Sequence, residues 1–213
     1  MDSIIRSILT FITSAMFFVL STFGINTGTE QPKYEVIERI GKSVEIRRYA
    51  PRIAAEVAID VSRSDNPRGE AFQIIAAYIF GANKGKKKIQ VTSPVEVEKT
   101  GEKIAMTAPV EVNRSEKQLT MRFFIPAQSS KDELPEPTDS RVRLIDIPSE
   151  TAAVLEFTGS TDDAAISART TELVKLLGGT RWKAVGVPTA FFYNPPWTIP
   201  FLRRNEVAVT VSK

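Results

Sequence analysis

The chain of 213 residues contains no cysteine and no histidine. Without cysteine there are no disulfides, thiolate nucleophiles, iron–sulfur clusters or Cys-ligated zinc. Without histidine there is no Ser-His-Asp or Cys-His nucleophile system, no His-ligated zinc and no imidazole base near neutral pH. Most hydrolase mechanisms are thereby excluded. A strong charge of one sign is also missing: 28 basic and 25 acidic residues leave a net charge of +3, which excludes nucleic acid as the main partner. The pI near 9.1 permits attraction to anionic surfaces and no more. Of the carboxylates, Glu96, Glu98, Glu111 and Glu116 fall on alternating or terminal strand positions and read as a solvated face. Glu206, beside Arg203 and Arg204, reads as a structural ion pair.

What the chain does have is enough apolar residue, 42%, for one domain with a full core and an extra N-terminal element. Residues 7–25 carry no charge and include Ile8, Leu9, Phe11, Ile12, Phe17, Phe18, Val19 and Leu20. As a helix they would extend about 28 Å, close to the roughly 30 Å of a bilayer's hydrocarbon core. The stretch is either a membrane anchor or a secretory signal, so residues 1–29 are read as anchor or signal with a linker and residues 30–213 as the folded domain. Arg6 lies before the run and Lys33 well after it, which places the domain outside the cytoplasm, anchored or secreted. Oligomeric state is left open.

Residues 88–97 read KIQVTSPVEV, and residues 103–112 read KIAMTAPVEV, so one β-patterned phrase returns after fifteen positions. Each copy carries a proline (Pro94, Pro109), which a ladder accepts only at an edge or bulge. A hairpin turning around Glu98 to Glu102 is expected. Upstream, Tyr34 to Arg39 and Ser43 to Tyr49 flank Gly41 as a second hairpin, and after Pro51 a strand runs from Ile53 to Val61. Asn66 can cap a helix that begins at Pro67 and stops at Gly81, with Phe72, Ile75, Ala76 and Ile79 at i, i+3, i+4 and i+7 forming one apolar face. The order then recurs: Val142 to Ile147, a break at Pro148, a strand from Thr151 to Phe157, a helix from about Thr161 to Leu177 and the Gly178-Gly179 stop. Gln128 to Asp139 reads as the loop between the halves. The last strand, Val207 to Val211, reads as a packed edge.

Several phrases, in this order and spacing, resemble the SOUL haem-binding family: Tyr34-Glu35-Val36-Ile37, Glu45-Ile46-Arg47-Arg48-Tyr49, Tyr78 to Asn83, the Thr-x-Pro-Val-Glu-Val repeat, Tyr193-Asn194-Pro195-Pro196 and Leu202-Arg203-Arg204-Asn205-Glu206-Val207. The resemblance covers nearly everything from Tyr34 onward. It implies an α+β fold: a twisted antiparallel β-barrel-like body made of two related strand/helix halves with two outer helices, here preceded by an N-terminal hydrophobic helix. It also implies non-covalent binding of haem or a related tetrapyrrole. Some members carry an axial histidine immediately before the Tyr of the Ile-Arg-x-Tyr phrase, and Arg48 stands there in this chain.

The histidine-independent mode, in which a tetrapyrrole lies in an apolar pocket beside the first helix, points to Phe72, Ile75, Ala76 and Ile79. Arg48 and Tyr49 follow as possible propionate or iron contacts, and Met106 as a possible thioether ligand. Met121, Tyr78, Arg47 and Arg68 carry the same chemistry and, like the others, have structural roles as rivals. The implied role is a haem carrier or buffer. The alternatives are a binding module for another planar apolar ligand, or an enzyme acting on haem whose reactivity comes from the cofactor.

Overall fold

In the computed structural model the structure describes residues 29–85 and 101–213. The first copy of the repeat, the expected turn as far as residue 100 and the apolar run of residues 7–25 lie outside the described residues. Among the described residues no helix is long and apolar enough to cross a membrane.

The chain enters as β1 (Tyr34–Ile40) and β2 (Val44–Tyr49), joined at Gly41, whose φ of 60° is a turn conformation that glycine adopts without a side-chain penalty. β3 (Arg52–Asp60) follows Pro51. Helix α1 (Pro67–Ile79) starts as the sequence predicts: Asn66 accepts from the Gly69 N–H at 3.1 Å, and Pro67 occupies the first turn. It stops at Gly81, φ 111°. Gly101 crosses this stop so closely that a Cβ there would lie 1.6 Å from the Gly81 carbonyl oxygen. Asn83 fixes the crossing, donating to the carbonyls of Tyr78 (2.9 Å) and Glu102 (2.8 Å) and accepting from the Glu102 N–H.

After β4 (Asn83–Lys84), the repeat's second copy forms a strand only past its proline, as β5 (Val110–Arg114), which pairs with β6 (Gln118–Phe124). Next come β7 (Glu136–Pro137), β8 (Arg143–Ile147) and β9 (Glu150–Phe157). Helix α2 (Asp163–Leu177) is capped by Asp162, which accepts from the Ala165 N–H at 2.7 Å. The chain finishes with β10 (Lys183–Ala184), β11 (Thr189–Phe192) and β12 (Asn205–Ser212).

Ten strands make one sheet in the order β1-β2-β9-β12-β11-β5-β6-β3-β8, with β10 beside β12, and every pair in it is antiparallel. β12 therefore lies between β9 and β11, not at an edge as the sequence suggested. From β2 to β8 the order is a palindrome of related strands: β2 answers to β8, β9 to β3, β12 to β6 and β11 to β5. The halves meet where β5 pairs with β11. They meet again where the chain passes from β2 into β3 alongside the passage from β8 into β9. Tyr49 faces Glu150 and Arg52 faces Ile147, three residues on along both strands, so the register runs unbroken past Ala50-Pro51 and Pro148-Ser149. At the crossing Ser149 Oγ donates to the Tyr49 carbonyl at 2.8 Å, and the Ala50 N–H donates to the Lys33 carbonyl at 3.0 Å.

Alternation along the strands separates two faces. On one, α1 packs against β3 and β6 through Ala71, Ile74, Ile75, Tyr78 and Ile79, meeting Val57, Leu119, Met121 and Phe123. On the same side, α2 packs against β9 and β12 through Leu173 and Leu177. The α+β class and the two outer helices follow the sequence reading. The buried side of α1 is rotated from the predicted one: Ile75 (0% exposed) and Ile79 (2%) are in the core, whereas Phe72 is 45% exposed and leans on Phe123 with ring centroids 5.7 Å apart.

The two positions should therefore respond differently. Ile75→Ala is expected to cost about 2–5 kcal/mol in urea unfolding, as core truncations do, and Phe72→Ala roughly 1 kcal/mol or less. Equal losses would show that Phe72 is a core residue.

Candidate functional site

The face of the sheet away from the helices is also buried, because the sheet curls over it, and it mixes aromatic rings with charge. Tyr49, Phe124, Phe191 and Tyr193 form its apolar part together with Ala54, Ala152, Val154 and Ala208. The same alternation brings in Arg47, Glu56, Glu111 and Glu206, all at most 5% exposed. Glu111, read from sequence as solvated, is thus an interior residue, since its strand faces the inside of the curl.

These charges are paired. Glu206, fully buried, accepts from Arg47 Nη1 at 3.0 Å, from Arg204 Nη2 at 2.7 Å and from the Tyr193 hydroxyl at 2.7 Å. Arg47 also donates to Glu45 (2.8 Å) and to the Tyr49 hydroxyl (3.4 Å). Arg203, which the sequence placed beside Glu206, turns instead to the carbonyls of Thr198 and Pro196. In the other half Arg122 bridges Glu56 (2.8 Å) and Glu111 (2.6 Å). Burial pushes the Glu111 carboxyl above its ordinary range despite the pull of Arg122. Burial, reinforced by Glu206, likewise pushes the Tyr49 hydroxyl to about 12 and Tyr193 upward. Breaking such a network is costly because it strands a buried charge; it reads as structure rather than as an acid–base pair.

At the edge of this interior, where the two halves cross, lies a cavity of about 370 Å³. Pro32, Ala50, Pro51, Ile53, Phe124, Ile125, Ile147 and Pro148 give it mostly apolar walls. Arg52 lines it too, its side chain 8% exposed and its guanidinium carbon 5.0 Å from the ring centroids of both Tyr49 and Phe124. Nη2 of Arg52 is held by Glu150, whereas Nε and Nη1 are buried without a hydrogen-bond partner. Nothing in the sequence flagged Arg52, because the cavity draws on five separated segments.

The residues expected from sequence are distributed over three places. Phe72, Ile75, Ala76 and Ile79 share α1, with Ile75 and Ile79 sealed in the core against the sheet and Ala76 half-buried. Phe72, Ala76 and Phe80 follow at four-residue steps, and both phenylalanines are exposed, which leaves an outward apolar stripe on α1. Met106, 54% exposed, is on a segment tied at one end to α1 by the Ile104 N–H on the Ile79 carbonyl and at the other to β6 by Thr107 Oγ1 on the Phe124 carbonyl. Arg48 and Tyr49 do not converge with these. Arg48 is exposed and pairs with Glu35 at 3.5 Å in the half that carries α2, and Tyr49 is inside the curl. Among the other iron-ligating candidates, Met121 is sealed in the α1 core and the Tyr78 hydroxyl donates to the Pro135 carbonyl.

The buried tyrosines have a measurable consequence. Tyr49 and Tyr78 are each held at about 12 against an ordinary 10.0, Tyr78 by burial alone. A raised folded-state value means that the neutral form is favoured in the fold. This stabilisation is complete below pH about 10 and is lost as pH rises toward 12. Absorbance titration should show these hydroxyls ionising together with alkaline unfolding; ionisation of two or more of the four tyrosines near pH 10 in folded protein would contradict the burial of Tyr49, Tyr78 and Tyr193.

The comparisons accord with this architecture. No curated protein matches the chain. Among solved structures, the C-terminal domain of EcmrR is similar at a TM-score of 0.54 and 11% identity, over 84% of this chain and 98% of that one. A hydrolase from Listeria innocua is similar at 0.52 and 13%, over 80% and 92%. An uncharacterized conserved protein from Listeria innocua is similar at 0.54 and 10%, over 87% and 94%. At such identities the likeness is one of fold. The SOUL heme-binding protein model matches residues 29–210, and the phrases that carry the resemblance sit at the joints of this fold: Asn83 at the α1 stop, Tyr193 on Glu206, and Asn194 accepting from the Arg204 N–H at 2.7 Å. The chain is a member of the SOUL heme-binding protein family.

Proposed function

We propose that the chain binds haem or a related tetrapyrrole non-covalently, without an axial histidine, as a carrier or buffer. The observation that carries this reading, beyond family membership, is the outward stripe Phe72, Ala76 and Phe80 on α1 and its C-cap, apolar area left uncovered by the described residues. A flat macrocycle laid on it would bury both rings. The donor set fits a hold by contact rather than by coordination. With histidine and cysteine absent, and with Met121, Tyr49, Tyr78 and Tyr193 buried, Met106 is the exposed sulfur donor bordering this region among the described residues.

When bound, haem iron supplies redox chemistry; the chain's own residues bind one face and shield it from water. The interior carboxylates Glu56, Glu111 and Glu206 are engaged by arginines, which supports a non-catalytic role. The uncharged run of residues 7–25 supports tethering at a bilayer with the domain outside the cytoplasm.

Haemin titration of the full chain, followed by its Soret absorbance, tests this. Saturable one-to-one binding is expected, weakened about tenfold or more by Phe72→Ala and unchanged by Arg48→Ala, with the band position unmoved in Met106→Ala. A flat titration would overturn the proposal.

A further inference from the structure

We infer that the cavity at the crossing of the two halves is a second binding site, for a compact apolar molecule bearing a carboxylate, independent of the α1 stripe. Three observations meet there. The space, about 370 Å³, is within the range of small-molecule sites. Its walls are mainly proline, isoleucine and phenylalanine, and the Pro51 and Pro148 rings stand at the crossing itself, where the backbone has little freedom to collapse inward. Arg52 lines it with a side chain more than nine-tenths buried, and just beneath the wall its Nε and Nη1 are left without a partner.

Buried polar groups of native proteins are normally paired, and a charged donor left unpaired is costly. Glu150 takes only Nη2, and the rings of Tyr49 and Phe124 flank the guanidinium without accepting a conventional hydrogen bond. The charges around the rim, Glu30 and Asp146 against Lys33 and Lys131, balance, so Arg52 rather than the rim selects for an anion. Glu30 accepts from the Ala127 N–H, Asp146 is neutralised by Lys131 at 2.7 Å, and Lys33 also lines the opening. An incoming carboxylate, with its apolar body against Ile53, Phe124 and Ile147, reaches these donors once the Arg52 side chain turns toward the cavity, so that one ligand satisfies them and covers the walls together.

Octanoate is the probe, with octanol as its uncharged counterpart, and the readout is amide chemical shifts of the full chain. Saturable shifts are expected at Ala50, Arg52, Ile53, Phe124, Ile125 and Ala127. Binding should weaken about ten- to a hundredfold in Arg52→Met and for octanol. Ala127→Leu, a change at an exposed cavity-lining position, should abolish binding while the melting temperature holds; it decides the matter if Arg52→Met does not fold. Absent shifts, or binding indifferent to both variants, would overturn the site. If haemin displaces octanoate and Arg52→Met weakens haemin equally, the cavity holds a tetrapyrrole's carboxylate and the independent site is overturned. Haemin binding that fails while octanoate binds would overturn only the tetrapyrrole reading.

Discussion

An antiparallel ladder normally ends where its strands bend, since a bend pulls donors and acceptors out of line. Here the pairing of Val44–Tyr49 with Glu150–Leu155 resumes as Arg52–Glu56 with Arg143–Ile147 in the same register, with Pro51 and Pro148 at the turn. Proline lacks an N–H, so each break occurs where no donor is lost. Ser149 and the Ala50 N–H satisfy or redirect the groups around it. One continuous ladder thus belongs to both halves of the sheet. The second seam, β5 with β11, completes the curl, and the two seams together create an inside.

That inside explains the distribution of charge. A flat sheet would show Arg47, Glu56, Glu111 and Glu206 to water; the curl buries them, and each carboxylate then needs an arginine. Glu206 has two and a tyrosine hydroxyl. Arg204 Nε and Asn205 Nδ2 are also buried without a hydrogen-bond partner, but Arg52 leaves two nitrogens so, and it is at the crossing where the space remains open. The α1 stripe is on the opposite face of the sheet, so the fold presents two chemically different surfaces: an exposed apolar strip, and a half-open cavity with a cation in its wall.

Elements set by local signals were legible in the sequence. Gly41 announced a turn, Asn66-Pro67 and Gly81 bounded α1, and the recurrence of Pro51 and Pro148 before related strands announced the two halves. Features set by the curl were not legible. Glu111 alternates like any solvated strand residue, and only β11 on its other side makes it interior. The valines of β12 suit an edge as well as the centre they occupy. Helix α1 is apolar on two overlapping arcs, one through Ala71, Ile74, Ile75 and Tyr78 and one through Phe72, Ala76 and Phe80. Periodicity marks both without saying which faces β3 and β6. Of the candidate site, the helix was therefore found and its outward arc was not separated from the core; the cavity, assembled from segments distant in the chain, left no local pattern.

If the shared ladder makes the two halves one cooperative body, native-state amide hydrogen exchange measures it directly. Core amides of β2 and β9 in one half and of β3 and β6 in the other should exchange through a single global opening, with the same free energy and the same denaturant dependence. Separate openings, with one half exchanging through a lower-energy unfolding while the other stays protected, would contradict the claim that register continuity across Pro51 and Pro148 holds the molecule together.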